Sequence, residues 1–208
     1  MKTILYPAHL SRPFKYLLLL IFSSVLFAGN LQAQVNYKLN GSKDNLVKVS
    51  GKSNVHDWTM TAENPVCEAS FAAFTAEENV PKSLTSLNFS VNAKNLKSES
   101  TSMNNRTYKA IKADAFPQIS FKLREATVTP QQKNKFSVNA TGSLTIAGVS
   151  KVISLQVNGE VKSDNTIVCS GQENIKLTDY GIQPPSFMLG AMKVGNELAI
   201  SFTLHFKK

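Results

Sequence analysis

The carboxyl-terminal stretch 194–206 reads Val194-Gly195-Asn196-Glu197-Leu198-Ala199-Ile200-Ser201-Phe202-Thr203-Leu204-His205-Phe206. From Leu198 onward every even position is a large apolar residue, while Glu197, Ser201, Thr203 and His205 fall between them. A period of two marks a strand with one buried face, because successive side chains leave a pleated backbone on opposite sides. The same alternation recurs upstream. Leu87, Phe89 and Val91 alternate with polar residues, as do Ile119, Phe121 and Leu123. Phe136, Val138, Ala140, Leu144 and Ile146 share one parity, and so do Ile153, Leu155, Val157 and Val161. Further strands are expected near 35–40, 44–51, 55–62, 66–74 and 166–178, for eight to ten strands in all. Turn residues separate these runs at Asn40-Gly41, Asn64-Pro65, Thr129-Pro130, Ala147-Gly148, Ser163-Asp164-Asn165 and Gly195-Asn196. The fold class is therefore all-β, and alternation alone does not choose between a sandwich and a barrel.

One segment breaks the pattern. Over 102–114 (SMNNRTYKAIKAD), Met103, Thr107, Ala110 and Ile111 fall at helical spacing on one face, with Arg106, Lys109 and Lys112 off that stripe. Ser102 is the expected N-cap, and Phe116-Pro117 the expected stop. The spacing predicts a single short amphipathic helix in an otherwise all-β chain.

The amino terminus has the parts of a secretory signal. Lys2, Arg12 and Lys15 precede an apolar run from Tyr16 to Ala28, and Leu31-Gln32-Ala33 offers a small residue for cleavage. That run is shorter than the ~20 residues a spanning helix needs. Residues 1–33 are expected to be a cleavable signal peptide and 34–208 one exported domain, soluble and periplasmic or otherwise outside the cytoplasm. The formal net charge of +9 falls by three when the signal is removed. The remaining lysines are scattered among serines and asparagines, a pattern for solubility and transient contact with an anionic membrane surface, not for nucleic acid. Cys67 and Cys169 are too few for a disulfide framework and are expected to fold as buried apolar residues.

Catalytic and metal motifs are sparse. The exported part holds two histidines, His56 and His205, with no His-x-His or Cys-x-x-Cys pair, so no metal site is expected. There is neither a Gly-x-Ser-x-Gly elbow nor a glycine-rich phosphate loop. Large and adaptable residues are plentiful, among them Trp58, Met60, Phe89, Phe121, Phe187 and Met192, and these suit either a core or the wall of an apolar ligand cavity.

Five segments, in order, resemble the YceI-like family of exported polyisoprenoid-binding proteins. They are Val49-Ser50-Gly51-x-Ser53-x-Val55-His56-Asp57-Trp58, Lys112 through Phe121 (KADAFPQISF), Gly142 through Lys151 (GSLTIAGVSK), Lys176 through Ile182 (KLTDYGI) and Lys193-Val194-Gly195-Asn196-Glu197. The resemblance implies an extended lipocalin-like antiparallel β-barrel with the helix beside its mouth. It also implies an apolar channel for an isoprenoid quinone, a polyprenyl chain or another long-chain lipid, bound reversibly and without a cofactor or catalysis. On that basis Trp58, Phe89, Tyr108 and Phe121 are the expected lining, Met103 and Ile111 the helical wall, and Asn104 and Arg106 the polar contacts. The helix departs from the family pattern. Many members carry an acidic-Arg-Asp-x-His run where this chain reads Met103-Asn104-Asn105-Arg106-Thr107-Tyr108, a set that suits a less charged head group. Two rival readings share the fold: an enzyme acting on such a lipid, which needs a histidine or carboxylate inside the pocket, and an interaction protein whose barrel is packed solid.

Overall fold

The computed structural model describes residues 34–208 apart from Ser42 and Glu78; the expected signal segment lies outside the described residues. Twelve strands form one antiparallel sheet: β1 (Val35–Leu39), β2 (Leu46–Ser53), β3 (Asp57–Ala62), β4 (Val66–Phe74), β5 (Pro81–Asn92), β6 (Leu96–Lys97), β7 (Gln118–Pro130), β8 (Lys135–Ile146), β9 (Val149–Val161), β10 (Ile167–Lys176), β11 (Ser186–Phe187) and β12 (Met192–Lys207). The helix α1 (Thr101–Ala110) follows β6.

Hydrogen bonding runs β1-β4-β5-β7-β8-β9-β10-β12, and β12 pairs again with β1 through Lys38↔Lys207 and Leu39↔Phe206. Eight strands thus close into a ring, which settles barrel against sandwich. The long strand β12 makes this possible. Its last residues pair with β1, and its middle pairs with β2, which continues through β3 to β6. The alternation read from the sequence becomes the inside of the barrel: Leu198, Leu204 and Phe206 of β12 are buried, as are Phe136, Val138, Ala140, Leu144 and Ile146 of β8.

Two expectations change in detail, and one strand has an irregularity beyond the run read from its sequence. The segment Gly195-Asn196 is not a turn but an irregular register within β12, between Val194 and Leu198. In β7 the inward parity moves from odd positions at Phe121 and Leu123 to even ones at Ala126 and Val128, because the register shifts between Leu123 and Glu125. A bulge inserts one residue and so exchanges the two faces of a strand. The helix starts one residue before the expected span and ends well short of it. Ser100, not Ser102, is the N-cap, its Oγ accepting from Met103 N at 3.2 Å. At the other end Lys112 adopts φ 53, with Ala113 N donating to Tyr108 O at 2.8 Å and Lys112 N to Lys109 O at 3.2 Å. This double closure satisfies the last carbonyls, so the chain leaves the helix before Phe116-Pro117 is reached.

Candidate functional site

The barrel is not filled. An apolar cavity of about 380 Å³ lies inside it, walled by residues of β2, β3, β5, β6, β7, β8, β10, β11 and β12 and by α1. A second cavity of about 130 Å³ adjoins it, and Val47, Phe89, Leu144 and Ile200 line both. Exposed lining residues mark the opening of the larger cavity: His56, Ser100, Ser102 and Arg106.

The helix contributes Met103, Arg106, Thr107, Ala110 and Ile111 to the wall. The stripe expected from spacing therefore does face the barrel, and Arg106, expected off the stripe, joins its edge. Its guanidinium lies 4.4 Å from the ring centroid of Phe187 in β11, so the entrance carries a cation held over an aromatic face. Thr107 Oγ1 donates to Met60 Sδ at 3.4 Å, fastening the helix to β3.

Of the eight expected site residues, Trp58, Phe89, Met103, Arg106 and Ile111 line the larger cavity. Phe121 lines the smaller one, as does Phe89. Asn104 and Tyr108 line neither. Asn104 is buried, but its polar atoms are used locally: Oδ1 accepts from Ser98 N and Ser98 Oγ, each at 2.8 Å, and Nδ2 donates to Ser98 O at 3.3 Å. The Tyr108 hydroxyl donates to the carbonyls of Lys94 (2.8 Å) and Leu96 (2.9 Å), so this ring ties the helix to the chain before it. Both residues orient α1 over the cavity; they do not offer it polar groups.

Trp58 is set by two features of its motif. Ser53 Oγ donates to His56 O (2.8 Å) and accepts from Val55 N (3.2 Å) and His56 N (3.1 Å), which folds the β2–β3 connection tightly. Across the strand pair, Trp58 lies opposite Gly51. A Cβ at Gly51 would stand 2.3 Å from Trp58 Cζ2, so the indole rests flat on the barrel wall only because position 51 has no side chain.

Sequence reasoning missed Tyr180 and Ile182 as lining residues. Tyr180 closes a 3₁₀ turn at Leu177–Tyr180 and Ile182 lies just past it; Gly181 between them has φ 67, and Ile182 N donates to Leu177 O at 3.1 Å. Asn196 clamps this turn from β12: its Oδ1 accepts from Thr178 N (3.1 Å) and its Nδ2 donates to Thr178 Oγ1 (3.0 Å). The Leu177-Thr178-Asp179-Tyr180-Gly181 run was on view as a motif, and its turn chemistry could have nominated the tyrosine.

Two polar groups of opposite kinds stand apart from one another. His56 lies on the rim of the larger cavity, its Nδ1 2.8 Å from Asp57 O. Glu173 lies on the inward parity of β10 and lines the smaller cavity, where burial raises its carboxyl above the ordinary glutamate range. Cys67 and Cys169 also line the smaller cavity, as free buried thiols that burial pushes up to about 12. Among the described residues no three His, Cys, Asp or Glu side chains converge as metal ligands, and no helix is long and apolar enough to cross a membrane.

The family model for the YceI-like domain matches residues 34–206. Among solved structures, the chain is similar to BcnA of Burkholderia cenocepacia, with 17% identity and a TM-score of 0.60 over 77% of this chain and 95% of that one. It is also similar to a polyisoprenoid binding domain from Saccharophagus degradans implicated in plant cell wall breakdown, with 13% identity and a TM-score of 0.60 over 82% and 97% of the two chains. The Campylobacter jejuni YCEI protein matches at 18% identity and a TM-score of 0.54, over 76% of this chain and 85% of that one. At these identities the likeness speaks for the fold. No curated protein matches the chain in sequence.

Proposed function

The chain belongs to the YceI-like family, and from that premise we propose that it is an exported binding protein that carries or stores a long-chain amphiphile, such as an isoprenoid quinone or polyprenyl lipid. The observation that carries the reading is the larger cavity. Its wall draws residues from nine strands and one helix, and most of its lining is aliphatic, aromatic or methionine. Each methylene of a lipid tail moved from water into such a wall gains about 0.8 kcal/mol. The adjoining smaller cavity gives a longer tail somewhere to continue. The polar rim at His56, Ser100, Ser102 and Arg106 keeps the opening wet.

Binding is favoured over catalysis by placement. His56 and Glu173 are the histidine and the carboxylate that line the cavities, and they line different ones. A general acid–base reaction needs such groups within reach of one substrate atom. The cavities likewise speak against a barrel packed solid. We further propose that residues 1–33 direct export and are removed, so that the carrier works beyond the cytoplasm and exchanges its lipid during transient contact with a membrane surface.

The test is native mass spectrometry of the protein purified from its own host, followed by organic extraction and lipid analysis. A stoichiometric long-chain lipid, on a chain that begins near Gln34, is the expected result. Ligand-free protein that takes up no lipid from vesicles, or turnover of a bound lipid, would overturn the reading.

A further inference from the structure

We propose that the larger cavity contains an internal hydrogen-bonding subsite, formed by Trp58 Nε1 and the Tyr180 hydroxyl, for a neutral acceptor oxygen of the carbonyl or ether kind on the bound amphiphile. The inference rests on the carrier reading and deepens it by naming the head-group chemistry. Among the described residues these two are the buried side-chain polar atoms without a hydrogen-bond partner, and both side chains line this cavity. Tyr180 is only 2% exposed. Elsewhere the fold satisfies such groups: the Tyr108 hydroxyl has two carbonyl partners and Asn104 uses both its oxygen and its nitrogen. A buried donor left unpaired costs stability, so two such donors on residues that line one cavity point to a partner that comes from outside the chain.

Neither group is placed loosely. Gly51 lets the indole lie against the wall, and Asn196 together with Gly181 holds the turn that delivers Tyr180. The chemistry then narrows the ligand. An indole N–H donates and cannot accept, so the missing partner must present an acceptor. Burial first, then the neighbouring Asp179 and Glu173, push the Tyr180 hydroxyl up to about 12, which keeps it a neutral donor. The same two carboxylates disfavour an anion beside it. The cation of the site, Arg106, is engaged with Phe187 at the exposed entrance. A hydrocarbon would leave both donors unpaired, and an ionised phosphate would meet carboxylates where it needs cations.

Three probes separate the possibilities on delipidated protein: farnesylacetone (a neutral isoprenoid ketone), an isoprenoid hydrocarbon of matched length, and farnesyl phosphate. Binding is followed by native mass spectrometry and by the emission of Trp58, the chain's single tryptophan. The ketone is expected to bind about tenfold more tightly than the hydrocarbon, the scale of one good hydrogen bond in a buried site. Tyr180→Phe and Trp58→Phe should each shrink the ratio of ketone to hydrocarbon affinity measured within the same variant, by native mass spectrometry alone for Trp58→Phe, which removes the single tryptophan. Tyr180→Phe removes one oxygen and keeps the ring, so it stands as the decisive variant if Trp58→Phe fails to fold. Equal binding of ketone and hydrocarbon, as expected if water satisfies the two donors, would overturn the subsite and leave the carrier reading intact. Tighter binding of the phosphate, or a ketone preference that survives both substitutions, would overturn it equally. No binding of any probe would overturn the carrier reading itself.

Discussion

Replacing Gly51 with alanine puts a single methyl group where the structure has placed the face of an aromatic ring. The new Cβ would lie 2.3 Å from Trp58 Cζ2, 2.7 Å from Trp58 Cε2 and 2.9 Å from Leu198 Cδ2, whereas ordinary contact begins at 3.4 Å. The indole is rigid and the wall behind Gly51 is strand backbone, so the ring must retreat inward by about 1 Å, into the cavity. Overpacking of this kind costs about 1–3 kcal/mol. If the displaced ring excludes one or two methylenes of a bound tail, at about 0.8 kcal/mol each, affinity falls about 4- to 15-fold. Denaturant unfolding monitored by Trp58 fluorescence measures the first effect, and titration with an isoprenoid ketone the second. Gly41→Ala is the control, since nothing lies within 4 Å of that position; it should change stability by no more than about 0.5 kcal/mol. A Gly51→Ala protein with the parent's midpoint, slope and emission maximum would show that Trp58 does not rest on position 51, and the account of how this cavity wall is built would fall.

Tyr108→Phe removes the one hydroxyl proton shared between the carbonyls of Lys94 and Leu96, and should lower stability by about 0.5–1.5 kcal/mol while leaving ligand affinity unchanged; a loss of affinity at full stability in equilibrium titration would return this residue to the cavity. The buried thiols of Cys67 and Cys169 are pushed from near 9 to about 12, for both chiefly by burial. Their contribution to stability is therefore full below about pH 9 and declines as pH rises toward 12, where the unfolded chain has released protons that the native chain retains. The double Cys→Ala variant should lose that part of the alkaline decline in unfolding titrations, and a decline of identical shape would contradict the assignment. Leu189 stands fully exposed at φ 54 in the hairpin whose Phe187 and Met192 line the larger cavity, and the loop carrying exposed Val55 is tied to the same hairpin through Asn54 bonds to Ala191 O and Lys193 N, each at 2.8 Å. Leu189→Asp should slow lipid transfer to anionic vesicles without changing melting temperature or equilibrium affinity; an unchanged transfer rate would count against contact through this tip.

The strands were legible because a barrel has one dry face per strand, and the parity of Leu198, Leu204 and Phe206 or of Phe136, Val138 and Ala140 states which face that is. The parity exchange in β7 was not, since a bulge is a relation between two strands, and residues 119–128 alone do not show that Leu123 and Ala126 face the same side. The helical stripe was likewise legible from Met103, Thr107, Ala110 and Ile111, all of which reached the cavity wall. On the same helix Tyr108 is expected as aromatic lining because it neighbours that stripe, and Asn104 as a polar contact; neither reaches the cavity. Their partners are backbone atoms at Leu96 and Ser98 and just before them, and a sequence gives no sign of which polar side chains will be spent on satisfying the local chain.

Tyr180 shows where the motif segments acquire a physical meaning that the chain order conceals. Taken singly, Gly51, Gly181 and Asn196 bear no chemistry, and in sequence they lie far apart. In the barrel each of them serves an aromatic side chain: Gly51 leaves room beneath Trp58, Gly181 permits the left-handed turn that follows Tyr180, and Asn196 reaches from β12 to hold Thr178 two residues before it. Gly148, at φ 79 in the β8–β9 turn, does the same for Phe116, whose ring covers it. The motifs of this chain are thus devices of placement, and the groups they place are an indole and a phenol that line the cavity and whose buried donors have no partner within the chain. A binding site made this way needs no catalytic signature to be specific. Its selectivity lies in offering two hydrogen bonds where a hydrocarbon has nothing to accept them.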